Sequence, residues 1–160
     1  MKNIEIKTII SEYDSYHELE DVYINLIEAA RSITKSSYAP YSNFNVGAAV
    51  LLENGEVICG TNQENAAYPS GLCAERVALF YANTKYPDIP VTAIAITSSM
   101  RSKFLKEAVA PCGACRQVML ETETRYNSTI KVILGGDKKV NIIKDARQLL
   151  PLSFDGEFLK

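Results

Sequence analysis

The sequence is poor in several features, and each shortage narrows its chemistry. Histidine is almost missing: His17 is the only one in 160 residues, and it stands outside every patterned segment. A centre built on several imidazoles is therefore excluded, and His17 reads as a surface or loop residue. No apolar run approaches the ~20 residues that a membrane-spanning helix needs. No block of Lys or Arg is present, and 17 basic against 19 acidic residues leave a net charge of −2. Long nucleic acids, which are held through their phosphates, are not expected partners. Repeats, low-complexity tracts and linkers are lacking too, which points to one domain. The stretch Met1 to Lys7 has charges and no apolar h-region, so no secretory signal is expected and the cytoplasm is the expected location.

What is there alternates between helical and strand periods. Residues 1–19 read as an arm of uncertain role, with a weak alternation at Ile4, Ile6, Ile9 and Ile10 that suggests a short extra strand. Residues 20–160 read as one folded domain. Val22, Leu26, Ile27, Ala30 and Ile33 share one face of a helix expected over 20–35. Val46 to Leu52 and Glu56 to Gly60 read as strands joined at Asn54-Gly55, where both residues tolerate positive φ. A polar loop, Thr61 to Gly71, precedes a helix from Cys73 to about Ala82. Val91 to Thr97 is a third strand, 99–110 a loop, and Pro111 marks the start of a third helix. Ile130 to Leu134 and Val140 to Ile143 are strands paired antiparallel across Gly135-Gly136-Asp137. The expected fold class is α/β: a three-layer α/β/α sandwich around a central five-stranded mixed sheet.

The chemistry lies in the cysteines. Of Cys59, Cys73, Cys112 and Cys115, three sit at expected helix starts. In a reducing compartment such thiols are ligands or catalytic groups rather than disulfides. Cys112 and Cys115 are three apart on one helical face, near the positive end of the helix dipole. Two helices docked side by side would bring Cys73 to them. Three protein ligands leave the fourth tetrahedral position open, which is the mark of a catalytic zinc site. Glu75, two residues after Cys73, can reach that open position without ligating and act as a proton shuttle. Three thiolates on Zn²⁺ carry a net −1, so Arg76 and Arg116 are candidates to donate hydrogen bonds to sulfur. A purely structural zinc knot would need Cys59 as a fourth ligand. Cys59 lies in an apolar strand, where free cysteine behaves as a small hydrophobe.

Cys73-Ala74-Glu75 with Pro111-Cys112-Gly113-Ala114-Cys115 matches the zinc deaminase signature in its three-cysteine form. With Tyr38-Ala39-Pro40-Tyr41-Ser42-Asn43-Phe44-Asn45-Val46-Gly47-Ala48-Ala49, Asn62-Gln63-Glu64-Asn65-Ala66-Ala67-Tyr68-Pro69, Arg116-Gln117-Val118 and Leu149-Leu150-Pro151 followed by Phe154, the chain resembles the small homotetrameric cytidine deaminases over about residues 20–155. The resemblance implies one Zn²⁺ per subunit and hydrolysis of cytidine and 2′-deoxycytidine to the uracil nucleosides and ammonia, as in pyrimidine salvage. It implies that Phe44 packs on the pyrimidine, Asn62 and Glu64 bind the ribose, and the Ala74 N–H meets the base O2. Glu75 would carry a proton from metal-activated water to ring N3 and then to the departing amine. It also implies a homotetramer in which Tyr68 and Phe154 reach neighbouring sites. On residue type alone, Phe44 reads as core, Asn62 and Glu64 as loop residues satisfying backbone groups, and Phe154 as a tail anchor. Two other functions fit the cysteine motifs. One is a deaminase of a modified cytosine nucleoside such as blasticidin S; the other is a non-catalytic zinc scaffold.

Overall fold

The computed structural model describes residues 1–159. Its strands are β1 (Ser11–Tyr13), β2 (Phe44–Leu52), β3 (Val57–Thr61), β4 (Val91–Met100), β5 (Lys103–Phe104), β6 (Lys131–Gly135) and β7 (Val140–Ile143). Its α-helices are α1 (Asp21–Ile33), α2 (Ala74–Lys85) and α3 (Gly113–Tyr126). The sheet order is β1-β7-β6-β4-β2-β3, with β5 on β4. Only β4 and β6 run parallel, joined by the α3 crossover. Helix α1 covers one face, and α2 with α3 cover the other. The three-layer α/β/α sandwich is as expected, but the mixed sheet has seven strands rather than five.

Of the two additional strands, the short one suggested for the arm lies at Ser11–Tyr13, beyond the isoleucine alternation, and β5 falls in the segment read as loop. Met100 and Lys103 close a hairpin across Arg101 and Ser102, both at positive φ (50° and 63°). Such a turn normally announces itself with Asn-Gly or Gly-Gly, and its absence makes 99–110 read as loop. Strand β1 is three residues long and pairs antiparallel with β7, Ser11 opposite Ile142. The Asn54-Gly55 turn forms where expected, but only Gly55 has positive φ (85°). Pro111 precedes α3 by two residues instead of opening it, because Cys112 is the N-cap.

Small residues set the spacing between layers. On α2, Ala74, Ala78 and Ala82 recur every fourth residue and are fully buried. Ala74 and Ala78 meet Gly60 of β3, where an added Cβ would stand 2.5 Å from the Ala78 nitrogen and 2.8 Å from the Ala74 oxygen. Gly47 of β2 plays the same part under α1, since a Cβ there would lie 2.1 Å from the Ala30 oxygen. On the α1 side, Arg31 lies between the rings of Tyr16 and Phe104, 4.5 and 4.8 Å from their centroids, and donates to the Gly136 carbonyl. It thereby fastens the arm, β5 and the β6–β7 turn to α1. His17 is exposed beside Tyr16, and Cys59 packs against the α1-side core.

The end of α3 is tied down by Glu123, which is 5% exposed. Its carboxyl accepts the backbone N–H groups of Ile130, Ala146 and Arg147. Burial, opposed by these bonds and reinforced by Asp145, pushes the Glu123 carboxyl up from 4.5 to about 7. A raised folded-state value means that the native chain binds the proton more tightly than the unfolded one. That stability is fully present below about pH 4.5 and is lost as the pH rises through about 7. In urea unfolding across this window, the wild type should therefore lose stability relative to Glu123→Gln. Gly60→Ala should cost about 1–3 kcal/mol by forcing α2 from the sheet, measured by the same unfolding curves.

Candidate active site

Two helix N-termini meet at the site. Cys73 is the N-cap of α2 and Cys112 the N-cap of α3, and neither uses its side chain to cap. Cys115 lies on the first turn of α3. The Sγ atoms of Cys73 and Cys112 are 3.7 Å apart and those of Cys112 and Cys115 are 3.5 Å apart. All three lie within 4.8 Å of one another, and Cys73, Cys112 and Cys115 are the only such cluster among the described residues. Zn–S bonds of about 2.3 Å in a tetrahedron place sulfurs about 3.8 Å apart, so the thiols fit a zinc ion.

Their protonation agrees with that. Donation from Cys115, and then from Arg76, holds the Cys73 thiol down at about 5. The hydrogen bond to Cys73 and burial push the Cys115 thiol up. Three anions cannot share this space unaided, and a divalent cation would displace the retained protons.

Glu75 sits on the first turn of α2, 4% exposed, on the wall of a cavity of about 750 Å³. Burial pushes its carboxyl up, as does the neighbouring Cys73. Phe44, Val46, Asn62, Glu64, Tyr68, Cys73 and Cys112 line the same cavity. Patterning missed one wall of it: Ile96 and Ser98 of β4, with Val109 and Ala110 before α3. The β4 pair could have been found from register, because Val46 lies opposite Ser98 and Phe44 and Val46 share a face with it.

The expected substrate residues are already engaged. Asn62 accepts from Ser37 Oγ and the Val46 N–H, and its Nδ2 donates to the Phe44 carbonyl. Glu64 accepts from the Ser42 hydroxyl and from the Tyr41 and Ser42 N–H groups, the hydroxyl chiefly holding its carboxyl below the usual range. Both side chains thus fix the 38–46 segment that presents Phe44, which is half-buried. Tyr68 is 77% and Phe154 57% exposed; Phe154 is not on the cavity wall of its own chain.

The two arginines differ. Arg76 Nη2 lies 3.8 Å from Cys73 Sγ, as expected, and its buried Nε has no partner among the described residues. Arg116 does not donate to sulfur. Its Nε and Nη1 are taken by the carbonyls of Pro111 and Leu149, both at 2.9 Å, because its side chain turns along α3 toward the C-terminal turn. It braces the loop before Cys112 instead.

The profile of the cytidine and deoxycytidylate deaminase zinc-binding region matches residues 21–130. The chain belongs to this family. It is 42% identical over 135 residues to a cytidine deaminase of Halalkalibacterium halodurans, covering 82% of this chain and 93% of the relative. It is 36% identical to a probable cytidine deaminase of Dictyostelium discoideum, covering 76% and 88%. The crystal structure of a cytidine deaminase from Burkholderia pseudomallei superposes with a TM-score of 0.71 at 41% identity, covering 82% of this chain and 98% of that one. The cytidine deaminase of Mycobacterium tuberculosis superposes at 0.65 and 28% identity, covering 83% and 97%. This family member therefore carries a zinc-binding region, and its three-thiol cluster is the matching donor set.

A hydrogen bond from Arg76 to a ligand sulfur should tighten metal binding. Arg76→Gln should lower zinc affinity by about 10–100-fold in competition with a chelating dye.

Proposed function

We propose that this chain is a zinc-dependent enzyme that hydrolyses cytidine and 2′-deoxycytidine to uridine and 2′-deoxyuridine, releasing ammonia. The observation that carries the reading is the cavity itself. Its wall carries Cys73 and Cys112 of the three-thiol cluster and the buried Glu75, together with Phe44, Asn62 and Glu64. Arg76 is the single basic side chain on its wall, so the cavity suits an uncharged nucleoside rather than a polyphosphate. Cys73, Cys112 and Cys115 would hold the metal. A zinc ion with an open position supplies activated water near neutral pH.

The chain's own residues do the rest. The Phe44 ring packs on the pyrimidine face, and a half-buried aromatic offers a flat apolar platform for it. The Ala74 N–H, at the first turn of α2, holds the base O2. Asn62 retains an N–H, and Glu64 oxygen lone pairs, for the ribose hydroxyls. Glu75 accepts one proton from the water as its oxygen bonds to C4 and delivers that proton to ring N3; it then takes the remaining proton of the new C4 hydroxyl and gives it to the exocyclic nitrogen as the C4–N bond breaks and C4=O forms. One water is consumed and one ammonia leaves. Residues 20–160 form the catalytic domain in this reading, and residues 1–19 an added arm.

The site is completed in a homotetramer, with Phe154 reaching a neighbouring cavity and Tyr68, on the rim of its own cavity, meeting the adjoining subunit there. Their exposure in a single chain supports this. The four unpaired cysteines suit a reducing, cytoplasmic location. Glu75→Gln should keep its zinc yet lose about 10²–10⁴-fold in kcat, followed as loss of cytosine ultraviolet absorbance. Near-normal turnover in this variant would overturn the role of Glu75. A zinc-loaded wild type inert towards both nucleosides would overturn the function, and turnover of blasticidin S alone would replace it with the modified-nucleoside reading.

A further inference from the structure

The arm precedes the family-matched region, which begins at residue 21, yet it is anchored. Its strand β1 pairs with β7, and Glu12 bonds Lys139 at 2.7 Å. Thr8 donates its hydroxyl to the Gln148 carbonyl, and the Ile9 N–H donates to Gln148 Oε1. Ahead of β1, however, four isoleucines find no cover: Ile4, Ile6, Ile9 and Ile10 are 79%, 55%, 71% and 54% exposed.

We infer that residues 4–8 of two copies of this chain pair as antiparallel strands about a two-fold axis at Ile6. Several independent features select this partner and this register. β1 is the last strand of the sheet, and ahead of it the backbone of residues 4–8 bonds to no other backbone among the described residues. The Ile9 N–H points to Gln148; in an extended strand the N–H groups of Glu5 and Lys7 then share its direction. Those of Ile4, Ile6 and Thr8 point to the free side. The charges are self-complementary. With Ile6 opposite Ile6 of the second copy, Glu5 faces Lys7, Lys7 faces Glu5, and Ile4 faces Thr8. Sliding by two residues in total brings Glu5 against Glu5 or Lys7 against Lys7. Sliding by one sets isoleucine against charge and mixes the faces. In the single chain Glu5 and Lys7 are paired with each other at 3.0 Å, both largely exposed, and exchange between copies conserves that pairing. A contact of this kind is isologous: it uses the same segment of both copies and closes on two arms.

Cross-linking of the full-length, zinc-loaded protein tests the pairing directly. Residues facing each other across a hydrogen-bonded antiparallel pair have Cα atoms about 5.5 Å apart, which a disulfide spans. Ile6→Cys should therefore give a covalent dimer under mild oxidation, above the level in the unmodified chain. Ile10→Cys should not, because positions 10 would lie about 27 Å apart at ~3.4 Å per residue. Adding Glu5→Lys to Ile6→Cys should reduce the dimer at least fivefold at low salt, and adding Lys7→Glu as well should restore it. A monomeric Ile6→Cys, equal cross-linking at position 10, or no response to the charge exchange would each overturn the inference. Deamination is read in parallel and is expected to be unchanged, so a failure of the arm contact is distinguishable from a failure of the proposed reaction.

Discussion

Three sulfur atoms within 4.8 Å of one another are the arrangement on which the rest of the molecule depends. Three thiolates repel, and they stay together only where positive charge is supplied from several directions. The fold supplies it by aiming the N-termini of α2 and α3 at one point, with Cys73 and Cys112 as their N-caps. Each helix end contributes roughly half a positive charge. Convergence of this kind requires both helices to lie on the same face and to start at the same end of the sheet. The strand directions provide this. β3 leads into α2, and β4, through β5, leads into α3. Because β2 runs antiparallel to both β3 and β4, its first residues, Phe44 to Val46, lie at that same end. Cavity, metal donors and aromatic platform therefore share one edge of the sheet.

The close approach of α2 depends on the absence of side chains. Gly60 and the alanine stripe at 74, 78 and 82 let the helix backbone sit almost on β3. The sequence shows these residues as an apolar helix face, but the reason for their smallness becomes clear only with the strand beneath them. Much of the chemistry was legible for a different reason. Cys-x-Glu and Pro-Cys-x-x-Cys are local patterns whose spacing on a helix fixes which groups share a face. The five longer strands were legible because each is an apolar run bounded by turn residues.

What escaped prediction depends on tertiary context. The β4–β5 hairpin turns on Arg101 and Ser102, residue types that do not advertise positive φ. The short strand expected in the arm forms at Ser11–Tyr13 rather than along the isoleucine alternation, because β7 offers it an edge there. Ser98 and Ile96 join the cavity wall through their register opposite β2. Asn62 and Glu64 illustrate the limit most clearly. Their residue types suit a ribose, and equally suit a loop that needs its backbone groups satisfied. The structure shows the second use: each is bonded three times within 37–46. The two uses are compatible, since a wall held rigid by its own hydrogen bonds loses little freedom when a ligand arrives.

The two arginines take unequal roles. A zinc ion with three thiolates would carry a formal −1, which the two helix ends, at roughly half a positive charge each, already offset. Arg76 adds a hydrogen bond to Cys73 Sγ at 3.8 Å. Arg116 is instead turned away, to the carbonyls of Pro111 and Leu149. There it links the loop that delivers Cys112 to the turn that begins the C-terminal segment. Gln117 continues the link by donating to the Phe154 carbonyl. The consecutive residues Cys115, Arg116 and Gln117 thus divide the work: the first supplies a sulfur, and the next two fix the frame around it.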